Sequence, residues 1–251
     1  MSHRFFIPPN WIDPPIIHLR GDTARQIHTV LRMQPGDEIV VLDNSGMEWR
    51  VVLTLVNKTS TQGQIIVQQP APAEPALQLT LYQGTLKGQK FEWVLQKGTE
   101  LGVSRFAPTI CQRSVVRDKS TLLKKYDRWQ QIIKEAAEQS GRGKLPQLAQ
   151  PLTLAEALIQ PQPDVLRLMP WEEANDTTLK EVLSKSALKN IALFIGPEGG
   201  FTTEESQLAQ KAEAKLVTLG LRILRAETAG LAACAVIMYQ LGEWENKPGL
   251  S

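Results

Sequence analysis

The sequence predicts an α/β protein in two parts, a small β-rich unit followed by a larger unit in which strands and helices alternate. Three observations carry this reading. The stretch Gln68-Gln-Pro-Ala-Pro-Ala-Glu-Pro-Ala76 has no periodicity and reads as an extended linker. Short β-type runs precede it, and strand and helix patterns alternate after it. The chain of 251 residues, 42% of them hydrophobic, is long enough for a small plus a medium core. The expected domains are residues 1–72 and 73–251.

In the first part, strands are expected at Glu38 to Asp43, Glu48 to Val56 and Gly63 to Gln68. Asn44-Ser45-Gly46 is a turn signal between the first two. A helix-like segment, Thr23 to Met33, is ended by Pro35-Gly36. A small barrel with one helix accommodates these pieces. In the second part, strands are expected at Leu77 to Tyr82, Phe106 to Ile110, Val165 to Met169, Ile191 to Ile195 and Leu216 to Leu219. Helices are expected at Lys87 to Leu101, Leu122 to Ser140, Leu154 to Leu158, Leu179 to Ser184 and Ala229 to Trp244. In the longest, Leu123, Tyr126, Trp129, Ile133 and Ala137 recur at three- and four-residue spacing. This alternation predicts a mainly parallel sheet covered on both faces.

Two stretches near the C-terminus are the most informative: Leu193-Phe-Ile-Gly-Pro-Glu-Gly-Gly-Phe201 and Leu219-Gly-Leu-Arg-Ile-Leu-Arg-Ala-Glu-Thr-Ala229. Each leaves an apolar run and leads into a helical pattern, which is how α/β proteins build ligand sites at the carboxyl ends of their strands. Gly196, Gly199 and Gly200 permit positive φ and close backbone approach, and Pro197 stiffens the turn. The first loop holds Glu198 and no Lys, so it suits a neutral or cationic ligand better than a polyphosphate.

Together these stretches resemble the RsmE family, SPOUT-class enzymes that methylate N3 of one uridine in 16S ribosomal RNA. The blocks Arg4-Phe5-Phe6, His28-Thr-Val-Leu-Arg32, Gln96-Lys-Gly-Thr-Glu-Leu-Gly-Val103 and Glu135-Ala-Ala-Glu-Gln-Ser-Gly-Arg142 extend the resemblance over the whole chain in order. It implies an N-terminal PUA-like RNA-binding barrel and a C-terminal SPOUT-type α/β domain threaded as a trefoil knot. It also implies 16S rRNA or the small ribosomal subunit as partner and a homodimer formed through the knotted domain.

The cofactor implied is S-adenosylmethionine, whose cationic sulfonium and flat adenine suit a glycine loop beside Ile195, Leu219, Ile223 and Leu224. Backbone groups of Met169, Gly196, Gly220 and Leu224 are candidates to read adenine and ribose. Thr228 and Ala229 complete the expected cofactor set with Pro197 to Gly200. Because N3 of uridine is protonated, the site needs a base or donors for the developing anion. Arg142 and Arg225 are the donor candidates, and Glu138 and Glu227 the base candidates. Glu138 lies one helical turn before Arg142, so both can project to one site or form an ordinary surface ion pair. Arg142, on a Gly141-Arg142-Gly143 turn, is expected to reach a flipped base.

Net charge is +2 overall, yet residues 111–145 carry nine basic and four acidic side chains. That concentration matches either a phosphate-contact surface or a solvated helix face. The RNA-contact candidates here are Arg113, Arg117, Lys124, Lys125, Arg128 and Lys144. In the N-terminal part they are Arg4, His28 and Arg32, with His28 equally well placed as a structural residue. Cys111 and Cys234 are too few and too separated for a disulfide framework or zinc site, and three scattered histidines give no metal cluster. No apolar run reaches the ~18 residues of a membrane span, and no signal peptide is evident. A cytoplasmic protein without metal or membrane attachment is expected. Two alternatives remain: a SPOUT ribose 2′-O methyltransferase, disfavoured because Arg225-Ala-Glu-Thr-Ala229 replaces an Asn-Val-Ser-type motif, and a non-catalytic RNA-binding ribosome-assembly factor.

Overall fold

A computed structural model describes residues 2–160, 164–174, 177–184 and 189–245. The chain divides into unit 1, Met1–Glu74 with Ala137–Leu145, and unit 2, Pro75–Ala136 with Pro146–Ser251. The boundary falls inside the proline-rich stretch, and a short segment from beyond it, residues 137–145, joins the first unit.

Unit 1 contains β1 (His3–Phe6), β2 (Ile12–Asp13), β3 (Ile16–Arg20), α1 (Gly21–Arg25), β4 (Glu38–Leu42), β5 (Met47–Val56) and β6 (Ser60–Pro70). They form a six-stranded sheet in the order β1-β4-β5-β6-β3-β2, antiparallel except for the β1–β4 pair. One core takes Phe5, Ile17, Leu19, Ile39, Val41, Val51 and Leu53 from four strands and Ile27 from the helical segment. Alternation along β3, with Ile17 and Leu19 inward, makes this possible. The expected helix over Thr23 to Met33 is realised as α1 followed by a wider π-type turn, Gln26–Val30. Val30, the second β-branched residue of Thr29-Val30, is 70% exposed at its end.

Unit 2 runs β7 (Gln78–Gly84), α2 (Lys90–Glu100), β8 (Arg105–Ile110), α3 (Lys119–Leu123), α4 (Tyr126–Ser140), β9 (Gln147–Leu148), β10 (Leu152–Thr153) and α5 (Leu154–Leu158). It continues with β11 (Val165–Pro170), α6 (Leu179–Ser184), β12 (Asn190–Ile195), α7 (Thr203–Lys211), β13 (Lys215–Val217) and α8 (Ala226–Gln240). The last residues of α4, from Ala137, cluster with unit 1. The seven-stranded sheet is parallel at every pair, in the order β10-β8-β7-β12-β11-β13 with β9 beside β8. Its two faces feed two cores. Leu79, Leu81, Ile191, Leu193 and Ile195 pack with Phe91 and Leu95 of α2 and Ile237 of α8. Tyr82, Ala192 and Phe194 pack on the other face with Leu154 and Leu158 of α5 and Ala209 of α7. Strands buried on both faces read as continuous apolar runs, as Ile191 to Ile195 does.

The long helix expected over Leu122 to Ser140 is broken into α3 and α4. Asp118 caps α3 by accepting from the Ser120 and Thr121 amides, at 3.2 and 2.9 Å, which starts a helical turn earlier than the apolar spacing shows. These donors, with the two hydroxyls, hold the Asp118 carboxyl well below the usual carboxylate range. α8, apolar nearly all round, has Ala233, Cys234, Ile237 and Met238 buried and Val236 and Tyr239 exposed.

Candidate functional site

β11, β12 and β13 run parallel as neighbours, so their carboxyl ends open on one side of the sheet. The loops leaving them enclose a cavity of about 720 Å³. Pro170, Trp171 and Glu172 line it after β11, Ile195 to Phe201 after β12, and Thr218 to Ala226 after β13, with Lys90 of α2 and Ala229 of α8. The two loops singled out in the sequence therefore meet on one site.

The first loop is a tight turn closed by the Gly200 amide donating to the Pro197 carbonyl at 2.9 Å. Of its glycines only Gly200 uses a left-handed backbone, at φ +70°. Gly196 and Gly199 are required for close approach instead, a correction to the expectation of positive φ at all three. A Cβ on Gly199 would stand 3.0 Å from the Arg113 Cβ, and one on Gly196 3.1 Å from the Gly200 carbonyl carbon. The loop leads into α7 through a capping box in which Thr202 and Glu205 satisfy each other's amides. In the second loop Gly220 has φ +100°, and its amide donates to Thr218 Oγ1 at 3.1 Å. Leu221 and Ile223 are almost fully exposed there. Large aliphatic side chains left in water at a cavity rim mark a binding surface.

The cavity is lined by the cations Lys90, Arg222 and Arg225 and the carboxylates Glu172 and Glu198, and Glu227 stands beside it in the first turn of α8. Lys90 Nζ lies 3.3 Å from Glu227 Oε1 and 3.8 Å from Glu198 Oε1. Glu227 Oε2 is buried without a hydrogen-bond partner. Glu198 Oε1 also accepts the Lys87 amide at 3.0 Å. Beneath the loop, Gln83 Nε2 donates to the Gly196 carbonyl at 3.4 Å, while its Oε1 is buried and unpartnered. Arg225, exposed at the start of α8, lines the rim.

Not every expected cofactor residue is there. Met169 is fully buried in the core of the face opposite α8 and does not line the cavity; its neighbour Pro170 does. Thr228 faces outward on α8. Ile195, Gly196, Pro197, Glu198, Gly199, Gly200, Leu219, Gly220, Ile223, Leu224 and Ala229 all line it.

Arg142 is placed otherwise than expected. It is 2% exposed, in unit 1, and its guanidinium is held by Glu74 through Nε at 3.0 Å and Nη2 at 2.9 Å. The turn after α4 is thus tied down by Glu74. Glu138, also in unit 1, accepts the Phe6 amide at 2.9 Å.

The basic candidates divide in two. Arg113 donates to the carbonyls of Gly199 and Phe201, at 2.9 and 3.2 Å, and Arg117 donates to those of Ser114 and Gln112. Both spend donors on the protein's own backbone. Arg4 pairs with Glu48 at 2.5 Å and Arg128 with Glu92 at 2.7 Å. His28, Arg32, Lys124 and Lys144 are exposed, and Lys125 is half-buried. Among the described residues no helix is long and apolar enough to cross a membrane, and no cluster of three or more His, Cys, Asp or Glu side chains is arranged for a metal.

The family model of an RNA methyltransferase domain matches residues 73–238, and that of an RNA methyltransferase PUA domain matches residues 19–66. The chain is 34% identical to a ribosomal RNA small subunit methyltransferase E of Bacillus subtilis, over 91% of each sequence. It is 36% identical to the protein of that name from Synechocystis, over 94% of this chain and 77% of the other. This chain belongs to the ribosomal RNA small subunit methyltransferase E family. A crystal structure of such a methyltransferase from Neisseria gonorrhoeae, bound to S-adenosyl methionine, superposes with TM-score 0.87 at 33% identity, covering 95% of this chain and 98% of the other. The fold is the SPOUT-type α/β methyltransferase fold with an N-terminal PUA-like domain.

Lys90, Trp171, Glu172, Leu221 and Arg222 also line the cavity, and the sequence pattern does not single them out. Trp171 and Glu172 were within reach, because they directly follow the carboxyl end of a strand. Lys90 was not, since nothing in the pattern of α2 says which face meets the loops.

Proposed function

We propose that this chain uses S-adenosylmethionine to methylate N3 of one uridine in 16S ribosomal RNA. The observation carrying this is the single cavity made by the glycine loop after β12 and the Leu219-to-Arg225 loop after β13, in a chain of the methyltransferase E family. Its size falls within the ~300–1,000 Å³ of small-ligand sites. Its chemistry fits the cofactor. Trp171, Leu219, Leu221 and Ile223 offer apolar surface to a flat base. Glu172 and Glu198 offer negative charge to a cation, and the one lysine is already paired with carboxylates.

When bound, S-adenosylmethionine supplies an electrophilic methyl group on a cationic sulfur. The residues of this chain bind it, exclude water and handle the proton. A uracil flipped from its stack presents an N3–H that must leave before N3 can accept carbon. Glu227 is the acceptor: Lys90 holds its Oε1, and its Oε2 has no hydrogen-bond partner. The proton passes from N3 to the Glu227 carboxylate, and the negative charge spreads to the uracil O2 and O4. Arg225, a permanent cation on the rim, stabilises that charge.

The substrate is 16S rRNA or the small subunit, and the site of action is the cytoplasm. The protein acts as a homodimer, a reading supported by Val236 and Tyr239 on α8 and Trp244 beyond it, which are 45%, 69% and 55% exposed. Mass mapping of 16S RNA from cells lacking this protein tests the reading. N3-methyluridine should disappear and return with the wild-type chain but not with Glu227→Gln. A missing 2′-O-methyl group instead would make it a ribose methyltransferase, and an unaltered methylation pattern would make it an assembly factor.

A further inference from the structure

We propose that Arg113 is a positioning residue of the cofactor loop and not an RNA contact. The segment after β8 is the most basic in the chain, yet this guanidinium points back into unit 2. Its Nη1 donates to the Gly199 carbonyl at 2.9 Å and to the Phe201 carbonyl at 3.2 Å. These carbonyls flank Gly200, the left-handed residue of the loop, at φ +70°. A charged donor on both sides of that residue fixes the peptide orientations on which the turn depends. The stem matters as well. A Cβ on Gly199 would lie 3.0 Å from the Arg113 Cβ and 3.4 Å from its Cδ, so the loop backbone runs directly along the arginine.

A second, independent tie joins the same two segments. The amide of Gln112 donates to Glu205 Oε1 at 2.8 Å, and Glu205 Oε2 accepts the Thr202 amide at 2.9 Å. The turn from Cys111 to Ser114 and the loop from Gly199 to Glu205 are therefore clasped at both ends, one end by Arg113 and the other by Glu205. Ser114 supports the turn, its Oγ accepting the Cys111 amide at 3.0 Å. Arg113 and Gly199 to Phe201 thus act as one assembly, whose ordering is settled before the cofactor arrives. A preformed loop binds more tightly than one that must be ordered on binding.

The inference rests on this loop holding S-adenosylmethionine, and the experiment separates the two ideas. Titration calorimetry of S-adenosylmethionine into the full chain comes first; no binding by wild type overturns the loop assignment itself. Given wild-type binding, Arg113→Ala should weaken cofactor affinity about tenfold or more, the worth of a charged hydrogen bond. Arg113→Lys, with a single point charge in place of the fork, should recover only part of it. In steady-state assays the change should fall on the cofactor KM, with kcat at saturating cofactor nearly unchanged and the salt dependence of RNA binding that of wild type. If Arg113→Ala does not fold, Arg113→Gln, which keeps most of the stem and an amide donor, carries the comparison. Unchanged cofactor affinity with a shallower salt slope for RNA would overturn the proposal and return Arg113 to the phosphate contacts.

Discussion

Glu74 and Arg142 form a two-point clasp, Oε2 on Nε at 3.0 Å and Oε1 on Nη2 at 2.9 Å, with the arginine side chain only 3% exposed. Glu74 Oε2 also accepts the amides of Gly143 and Lys144, each at 3.1 Å. One carboxylate therefore ties the turn after α4 to the end of the N-terminal unit's chain. Removing one partner of such a pair strands a buried charge, which costs about 3–5 kcal/mol. Glu74→Ala and Arg142→Ala should each lower the urea unfolding midpoint markedly. Normal stability in Arg142→Ala, together with lost turnover at saturating RNA and cofactor, would instead assign Arg142 to the chemical step.

Gly220 in the cavity lining and Gly84 behind the glycine loop should respond differently to alanine. A Cβ on Gly84 would lie 2.4 Å from the Pro197 nitrogen and 2.6 Å from the Gly196 carbonyl carbon, both rigid backbone. Gly84→Ala must push the glycine loop outward, costing about 1–3 kcal/mol as overpacking does and weakening cofactor binding. Gly220→Ala meets nothing within 4 Å but carries φ +100°. Its cost is backbone strain alone, on the order of 1–3 kcal/mol. Thermal melts and cofactor titrations on both variants check this. Gly84→Ala with wild-type cofactor affinity would show that the loop tolerates displacement.

Much of this was legible in the sequence. The parallel sheet shows as continuous apolar runs such as Ile191 to Ile195, and both cavity loops follow directly from the strand-loop-helix pattern. What stayed hidden depends on tertiary partners. Nothing local indicates that Arg142, after a motif helix, is used up by Glu74, which lies 68 positions earlier. Nor does the basic composition of residues 111–145 reveal that Arg113 and Arg117 bond to carbonyls. Charge counts give the sign of a segment, not the direction of each side chain. The break between α3 and α4 does not show in the sequence because Leu123 and Tyr126 keep helical spacing across it, while the Asp118 cap signals a separate start. The short strands β9 and β10, two residues each, are too brief to show periodicity.

Both thiols should be inert in the folded protein. Cys111 and Cys234 are 3% and 0% exposed. Burial pushes the Cys234 thiol up to about 12, and burial together with the Glu205 carboxylate pushes Cys111 higher still, despite the hydrogen bond with Ser114. Because the thiolate is the nucleophile, neither should react with iodoacetamide at pH 8 until the chain unfolds. The sign for stability follows. Below the ordinary thiol value of about 8.5 both states keep the proton, and above it only the unfolded chain releases it, so stability falls as pH rises further. Rapid alkylation of Cys111 in native protein would show that the turn beside Arg113 opens readily.

RNA affinity should come from the lysines between α3 and α4 more than from the arginines on either side of them. Lys124 is exposed, and Lys125 is half-buried at the break between the two helices. Arg117 is bonded to the carbonyls of Ser114 and Gln112 and Arg128 to Glu92, so part of each guanidinium is already engaged within the protein. Every phosphate neutralised releases condensed counterions, so each lost contact should flatten the salt dependence of binding by roughly one unit. Lys124→Ala with Lys125→Ala should therefore reduce the slope by about two, across RNA sequences alike. Arg117→Ala should change it little and lower stability instead. Filter binding over a salt series with 16S fragments reads both slopes, and thermal melts read the second effect. A larger loss of slope for Arg117→Ala than for the lysine pair would mean that Arg117 leaves its backbone carbonyls when RNA arrives.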